Sequence, residues 1–259
     1  MPENDIPEVT FPKSHGTKLI NCLKHGEYES KGMEAFSGRV MWTQCPECEM
    51  EKIEKQEREK REREERERQG RIKQMLEVSG IPKRFISKDI TGMKADSEPE
   101  KKAIRAILNY EKAVVSGSPA SLILCGRPGT GKTHIGCAIV KAVISSDKAA
   151  KIINVSSLMR KVKATYRKDC EYTENDVFEF YGDLPFLVID EVGVQFGSET
   201  EKLIFYEIIN ARYNNELPTV LISNLTQDEL LGFVGERVMD RFKEDGGAVI
   251  AFDWESHRG

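Results

Sequence analysis

The amino-acid sequence predicts an α/β fold in which a parallel sheet is covered by helices on both faces. Three observations predict it. Five short apolar runs, at 121–125, 151–155, 186–189, 219–223 and 248–252, are rich in β-formers and bounded by turn or polar residues. Helix-like stretches at 133–145, 157–168, 200–215 and 234–243 alternate with them. A glycine-rich turn at 126–133 joins the first of these strands to the first of these helices. Near-continuous apolar strands separated by helices form the buried middle layer of a three-layer domain. No internal repeat is visible.

Composition bounds the rest. A chain of 259 residues holds one full α/β domain and a small appendage. It is 39% hydrophobic and 32% charged, leaner and more charged than the globular average. The net charge of −4 excludes a protein that coats nucleic acid by bulk positive charge, though not one with a local basic face. No apolar run approaches the roughly 18–20 residues that span a bilayer. The opening MPENDIPEVTF has neither the basic nor the apolar region of a secretory leader. A cytoplasmic chain without a membrane partner is expected.

Residues 1–48 contain Cys, His, Gly and Pro with little helical period. Cys22 and His25 form one close pair, Cys45 and Cys48 a second, with 19 residues between the pairs. Two such pairs across a loop offer four ligands suited to tetrahedral Zn²⁺. Gly26 and Pro46 supply turns beside them. No open coordination position is apparent, so the metal would be structural, and a segment this short could hardly bury a core without it. Unpaired thiols in a loose segment are the alternative. His15 has no paired neighbour and is a poor substitute ligand. Six cysteines are too sparse for a disulfide scaffold. Cys125 and Cys137 read as small core residues, and Cys170 carries no signal.

Residues 49–69 hold 17 charged side chains in 21, nine acidic and eight basic. Strong helix formers without Pro or Gly, and opposite charges at i,i+4 such as Glu54–Arg58, Glu57–Arg61, Glu59–Arg63 and Glu62–Arg66, predict an exposed helix, each pair adding about 0.2–0.5 kcal/mol. It continues into the more apolar 72–78. There is no a/d seam for a coiled coil, so a solvated helical spacer is expected.

The strand at 121–125 leads into Gly126, Arg127, Pro128, Gly129, Thr130, Gly131, Lys132 and Thr133, which satisfy G-x-x-x-x-G-K-[ST]. The strand before and the helix after are the context this phosphate-binding loop requires. The glycines let backbone N–H groups point at phosphate oxygens, and the helix N-terminus adds a favourable dipole. Lys132 would reach the β- and γ-phosphates of ATP and the Thr133 hydroxyl would ligate Mg²⁺. With His134, these residues are the candidate nucleotide site.

The next strand precedes 157–168, where Arg160, Lys161, Lys163, Arg167 and Lys168 surround Tyr166 without an acid. Cations with an interleaved aromatic suit single-stranded DNA; an ordinary basic helix face is the alternative. Four acids follow at once in 169–176, so the charge is local. The strand at 186–189 ends in Asp190 and Glu191. Asp190 would hold Mg²⁺, and Glu191 would polarise an attacking water. The strand at 219–223 ends in Asn224, either a turn former or a water-orienting amide beside the γ-phosphate. In 234–243, Arg237 and Arg241 share a helix face. One could serve a neighbouring subunit's γ-phosphate, or both could pair with Glu236, Asp240 or Glu244.

GRPGTGKTH, LVIDEVG, LISN and GERVMDRFKEDGGAVIAFDWESHR resemble the AAA+ helicase loaders of the DnaC type, as does the lead-in Ser79-Gly80-Ile81-Pro82-Lys83-Arg84-Phe85. The resemblance covers 79–259. It implies an ATP-switched loader that places the hexameric replicative DNA helicase on single-stranded DNA, assembling on helicase or DNA. It implies the sheet order 5-1-4-3-2, with Asn224 as sensor 1, no C-terminal helical lid, and Arg237 ahead of Arg241 as intersubunit arginine finger. It also implies an adaptor role for a zinc module at 1–48, ahead of a charged linker at 49–78 and the ATPase domain. The IstB-type transposition helper ATPases share most of these motifs and are one alternative; a nucleotide-binding adaptor without hydrolysis is another.

Overall fold

In this computed structural model the described residues are 13–35, 38–93, 95–167, 169–193 and 199–256. The chain divides into two units, Met1–Glu67 and Arg68–Gly259.

In the first unit, β1 (Ser14–Cys22) pairs antiparallel with β2 (Gly26–Glu34), and β2 pairs antiparallel with β3 (Val40–Trp42). No strand is expected there from the sequence, because the alternation is masked: Leu19, Met33 and Met41 are exposed among charged residues. Helix α1 (Pro46–Val78) begins here, with Pro46 at its first position, where the lost N–H costs nothing, and Glu47 and Glu49 in its first turn. Residues 49–67 are exposed, as a solvated helix requires. Glu57–Arg61 forms at 3.4 Å, alongside Lys55–Glu59, Lys60–Glu64 and Arg63–Glu67 at 3.8–3.9 Å.

In the second unit the last turns of α1 are not solvated spacer. Arg71 grips Asp147 through Nε at 3.3 Å and Nη2 at 2.6 Å, and Ile72, Met75 and Leu76 pack on the core. After two 3-10 turns comes α2 (Glu98–Val115), started by a Ser97–Glu100 capping box. Then follow β4 (Leu122–Gly126), α3 (Lys132–Ser145), β5 (Ala150–Asn154), α4 (Val155–Ala164) and α5 (Glu174–Asp183). The chain continues through β6 (Phe186–Val192), α6 (Glu199–Asn214), β7 (Thr219–Ser223), α7 (Gln227–Val234), α8 (Glu236–Lys243) and β8 (Ala248–Phe252).

The sheet order is β5-β6-β7-β4-β8, all parallel. Counting β4 to β8 as one to five, this is the expected 5-1-4-3-2. One face carries α4 to α8 over a cluster including Leu158, Phe205, Ile208 and Phe242. The other carries α2 and α3 over Ile107, Ile135, Ile139 and Phe252. The result is three layers with the strand C-termini on one edge, where ligands of such sheets bind.

Three expectations are corrected. The helix expected over 157–168 ends at Ala164, because the Thr165 hydroxyl takes the Val162 carbonyl at 2.7 Å and the backbone tightens into a turn. Tyr166 and Arg167 therefore lie beyond the helix, and Lys168 is outside the described residues. The helix expected over 234–243 is α8, which starts only at Glu236 because Gly235 takes φ +81°, a conformation other residues resist. Helices α2, α5 and α7 lie where none is expected, α7 meeting the expected range only at Val234. Residues 253–256 contain no helix, while the 257–258 part of the FDWESHR motif lies outside the described residues.

Candidate nucleotide site and metal cluster

Strand β4 ends at Gly126 in a conformation with φ +112°, where a Cβ would lie 2.6 Å from the Phe252 carbonyl oxygen. Only glycine fits so close to β8. The Gly126 N–H donates to the Leu225 carbonyl at 2.8 Å and the Arg127 N–H to the Phe252 carbonyl at 2.9 Å. The loop is thus pinned to the ends of both sheet neighbours. Pro128 and Gly129 form its turn, and the buried Thr130 hydroxyl donates to the Arg127 carbonyl at 2.8 Å.

Lys132 opens α3 with its ammonium inside the loop, donating to the carbonyls of Gly126 at 2.8 Å and Arg127 at 2.7 Å. Burial lowers its pKa, opposed by the nearby Asp190 charge. One residue on, the Thr133 hydroxyl donates to Asp190 Oδ2 at 2.9 Å, and Asp190 Oδ1 accepts the Glu191 N–H at 2.8 Å. Burial raises the Asp190 carboxyl above its ordinary value; the hydrogen bonds from Thr133 and Glu191 and the Lys132 charge oppose that. A hydroxyl and a carboxylate in contact beside a phosphate loop are the hard oxygen donors that Mg²⁺ takes.

Glu191 is exposed, with φ +59°. Asn224 is exposed just past the end of β7. His134 stacks on Phe85, ring centres 5.7 Å apart and planes 10° from parallel. Burial lowers its pKa. It lines an open pocket of about 750 Å³ with Gly131 and residues of the 87–93 segment, including Lys88, Asp89 and Met93. Lys141 holds that segment by donating to the Ile86 and Lys88 carbonyls and pairing with Asp89. A pocket of this size beside a phosphate loop fits a nucleoside. Sequence reasoning missed this wall. Its only signal is polar residues and a glycine between Phe85 and α2, which reads as any loop.

On α8 the two arginines differ. Arg237 is exposed, whereas Arg241 lies over Tyr213 at 4.6 Å and Tyr206 at 5.9 Å. Among the described residues neither pairs with Glu236, Asp240 or Glu244; Glu244 instead accepts the Tyr213 hydroxyl at 2.5 Å. The basic cluster is partly engaged. Arg160, Lys161, Lys163, Tyr166 and Arg167 are all exposed. Lys163 pairs with Glu201 at 2.7 Å, Tyr166 donates to Glu174 at 3.1 Å, and Arg160 donates to Ser157 at 2.7 Å. Lys161 and Arg167 form no ion pair among the described residues, so they are the cations most available to a phosphate chain.

In the first unit, Cys22, His25, Cys45 and Cys48 converge with ligand atoms within 4.8 Å of one another. His25 Nδ1 lies 3.8, 3.5 and 3.3 Å from the sulfurs of Cys22, Cys45 and Cys48, and the Cys22 and Cys48 sulfurs are 3.5 Å apart. Zn–S bonds of about 2.3 Å in a tetrahedron put sulfurs about 3.8 Å apart, so the donor set fits Zn²⁺. The Lys24 and His25 N–H groups donate to Cys22 and lower its pKa to about 6, while the hydrogen bond with Cys22 pushes Cys48 up to about 11, so of these two thiols Cys22 loses its proton first. His25 Nε2 faces Glu51 Oε1 at 3.2 Å, an outer carboxylate that would leave Nδ1 free for metal. His15 pairs with Glu34 at 3.0 Å, apart from the cluster.

Comparison with known proteins identifies the family and the fold. The family model described as IstB-like ATP binding protein matches residues 47–242. The replicative helicase loader DnaC of Buchnera aphidicola subsp. Schizaphis graminum is 30% identical over 188 residues, covering 73% of this chain and 76% of that protein. The DnaC of Escherichia coli strain K12 is 36% identical over 142 residues, 55% of this chain and 58% of that protein. In fold, the crystal structure of a DnaC helicase loader superposes with a TM-score of 0.59 at 20% identity, covering 66% of this chain and 100% of that one. No described helix is long and apolar enough to cross a membrane.

Proposed function

The chain belongs to the DnaC/IstB-like ATP-binding family, and from that premise we propose that it loads the hexameric replicative DNA helicase onto single-stranded DNA in an ATP-dependent step. The contact of Thr133 with Asp190 beneath the loop holding Lys132 carries the ATP part of this reading. The similarity to proteins named replicative helicase loader carries the rest.

In this reading the N–H groups from Gly126 to Thr133 cradle the phosphates, Lys132 turns to the β- and γ-phosphates, and His134 borders the nucleoside. Thr133 and Asp190 hold Mg²⁺, which supplies charge neutralisation on the phosphates. Glu191 polarises a water whose oxygen bonds to the γ-phosphorus as the bond to the bridging oxygen breaks, releasing ADP and phosphate; the water's proton passes towards Glu191. Asn224 orients that water, and an arginine of α8, Arg237 before Arg241, meets the charge from a neighbouring subunit. Cys22, His25, Cys45 and Cys48 hold a structural Zn²⁺ in an adaptor module at 1–48, joined by the linker at 49–78 to the ATPase domain at 79–259.

Two measurements test it. Glu191→Gln lowers steady-state phosphate release by about 10²–10⁴-fold while leaving ATP affinity within threefold; unchanged release would make the chain a nucleotide-binding adaptor. Native mass measurement of mixtures with candidate hexameric helicases is expected to find a complex with one of them, and failure with all would remove the loader reading.

The DNA surface is tested separately. Reversing Lys161 and Arg167 to Glu removes two phosphate contacts and flattens the slope of log K against log salt by about 1.4 for single strands. Lys163→Glu has a smaller effect, because Glu201 already neutralises Lys163. An unchanged slope would remove Lys161 and Arg167 from the DNA path, and preference for duplex would favour the transposition-helper alternative.

A further inference from the structure

We propose that Ser223 is a positioning residue for hydrolysis: its hydroxyl keeps Glu191 and Asn224 in register with the phosphate loop. This rests on the reading of Glu191 as the carboxylate that polarises water. Neighbouring side chains on a regular strand point to opposite faces, so Asp190 and Glu191 could not both serve one site. Strand β6 escapes this with an extra residue. Ile189 pairs with Leu221 but Val192 with Ser223, so three steps along β6 match two along β7. Within this irregularity Glu191 takes φ +59°, which a residue bearing a side chain keeps only where its surroundings enforce it.

The β6–β7 ladder is interrupted between Ile189 and Val192 and resumes only at the Val192–Ser223 pair. Ser223, 1% exposed, donates its hydroxyl to the Val192 carbonyl at 2.6 Å and accepts the Leu225 N–H at 3.1 Å. The Leu225 carbonyl in turn accepts the Gly126 N–H at 2.8 Å. One buried hydroxyl therefore joins the residue after Glu191, the residue after Asn224 and, through Leu225, the first glycine of the phosphate loop. The same corner is tightly packed: a Cβ on Gly193 would lie 2.3 Å from Leu225 Cδ1. Alanine at 223 would leave the Val192 carbonyl without this donor and let Glu191 relax from its left-handed conformation.

The test is kinetic. Ser223→Ala is expected to lower kcat about tenfold or more while the Kd for a fluorescent ATP analogue stays within threefold. Ser223→Thr keeps the hydroxyl and is expected to hold kcat within about threefold. In a Glu191→Gln background Ser223→Ala adds little, because the two act as one unit. Unchanged kcat in Ser223→Ala, a Kd that weakens in step with kcat, an equal loss in Ser223→Thr, or multiplicative losses with Glu191→Gln would each overturn the assignment. Wild-type turnover retained by Glu191→Gln alone would instead overturn the reading of Glu191.

Discussion

Stripping metal from Cys22, His25, Cys45 and Cys48 unfolds the β1–β3 sheet and leaves nucleotide binding intact. The expectation follows from how little else holds the first unit. Among its described residues the one buried apolar side chain is Cys45, itself one of the four candidate ligands. Ser30 is also buried, but its hydroxyl is spent on the Thr43 carbonyl at 2.7 Å. Three strands without an apolar core do not fold alone. Structural Zn²⁺ supplies about 10–16 kcal/mol of apparent binding free energy to such modules, far more than the sheet could lose and survive. Cys45 and Cys48 also sit at the start of α1, so metal loss frees that helix end. The measurement is amide NMR of the full chain with and without a strong chelator. Signals of 14–48 should collapse and recover on adding Zn²⁺, while ATP affinity stays unchanged. Cys45→Ser should reproduce the collapse without chelator. A β1–β3 sheet that stays dispersed after complete metal removal contradicts the metal dependence.

Where local chemistry dictates backbone, the sequence was readable. The loop from Gly126 to Thr133 tolerates few alternatives, because only glycine fits against Phe252 and only a lysine reaches its centre. The five parallel strands are apolar on both faces, so they stand out without periodicity. Helix α2 was missed although Ala103, Ile107, Tyr110 and Val114 are buried at helical spacing, since charged residues dilute that stripe. The bulge at Asp190 and Glu191 was not readable in the same way. It depends on the pairing of β6 with β7, which is non-local and leaves no trace in LVIDEVG alone. The difference between Arg237 and Arg241 is tertiary too: Tyr206 and Tyr213 on α6 decide which arginine stays exposed.

Removing the α8 arginine lowers ATP turnover by about 10³–10⁵-fold in the assembled state and changes little in the monomer. The reason is geometric. Charge that builds on the phosphoryl oxygens as the bond breaks needs a cation arriving from outside, because Lys132 and the Thr133–Asp190 pair already occupy the inner side of the loop. Arg237 is exposed without an ion-pair partner among the described residues, so it can be offered to another copy without first breaking a contact. Arg241 would have to leave Tyr213, where cation–π contact is worth about 0.5–2 kcal/mol. The test is complementation. Arg237→Ala subunits keep an intact phosphate loop, and Lys132→Ala subunits keep the arginine. Each alone should be inactive on helicase or single-stranded DNA, and a mixture should regain part of the wild-type rate, because one chain's loop then meets the other's arginine. Arg241→Ala, assayed the same way, should lose thermal stability with its stacking and retain most of its turnover. If Arg241→Ala shows the rescued defect and Arg237→Ala does not, the acting residue is Arg241. If mixing restores nothing for either, hydrolysis is completed within one chain and the shared site is wrong.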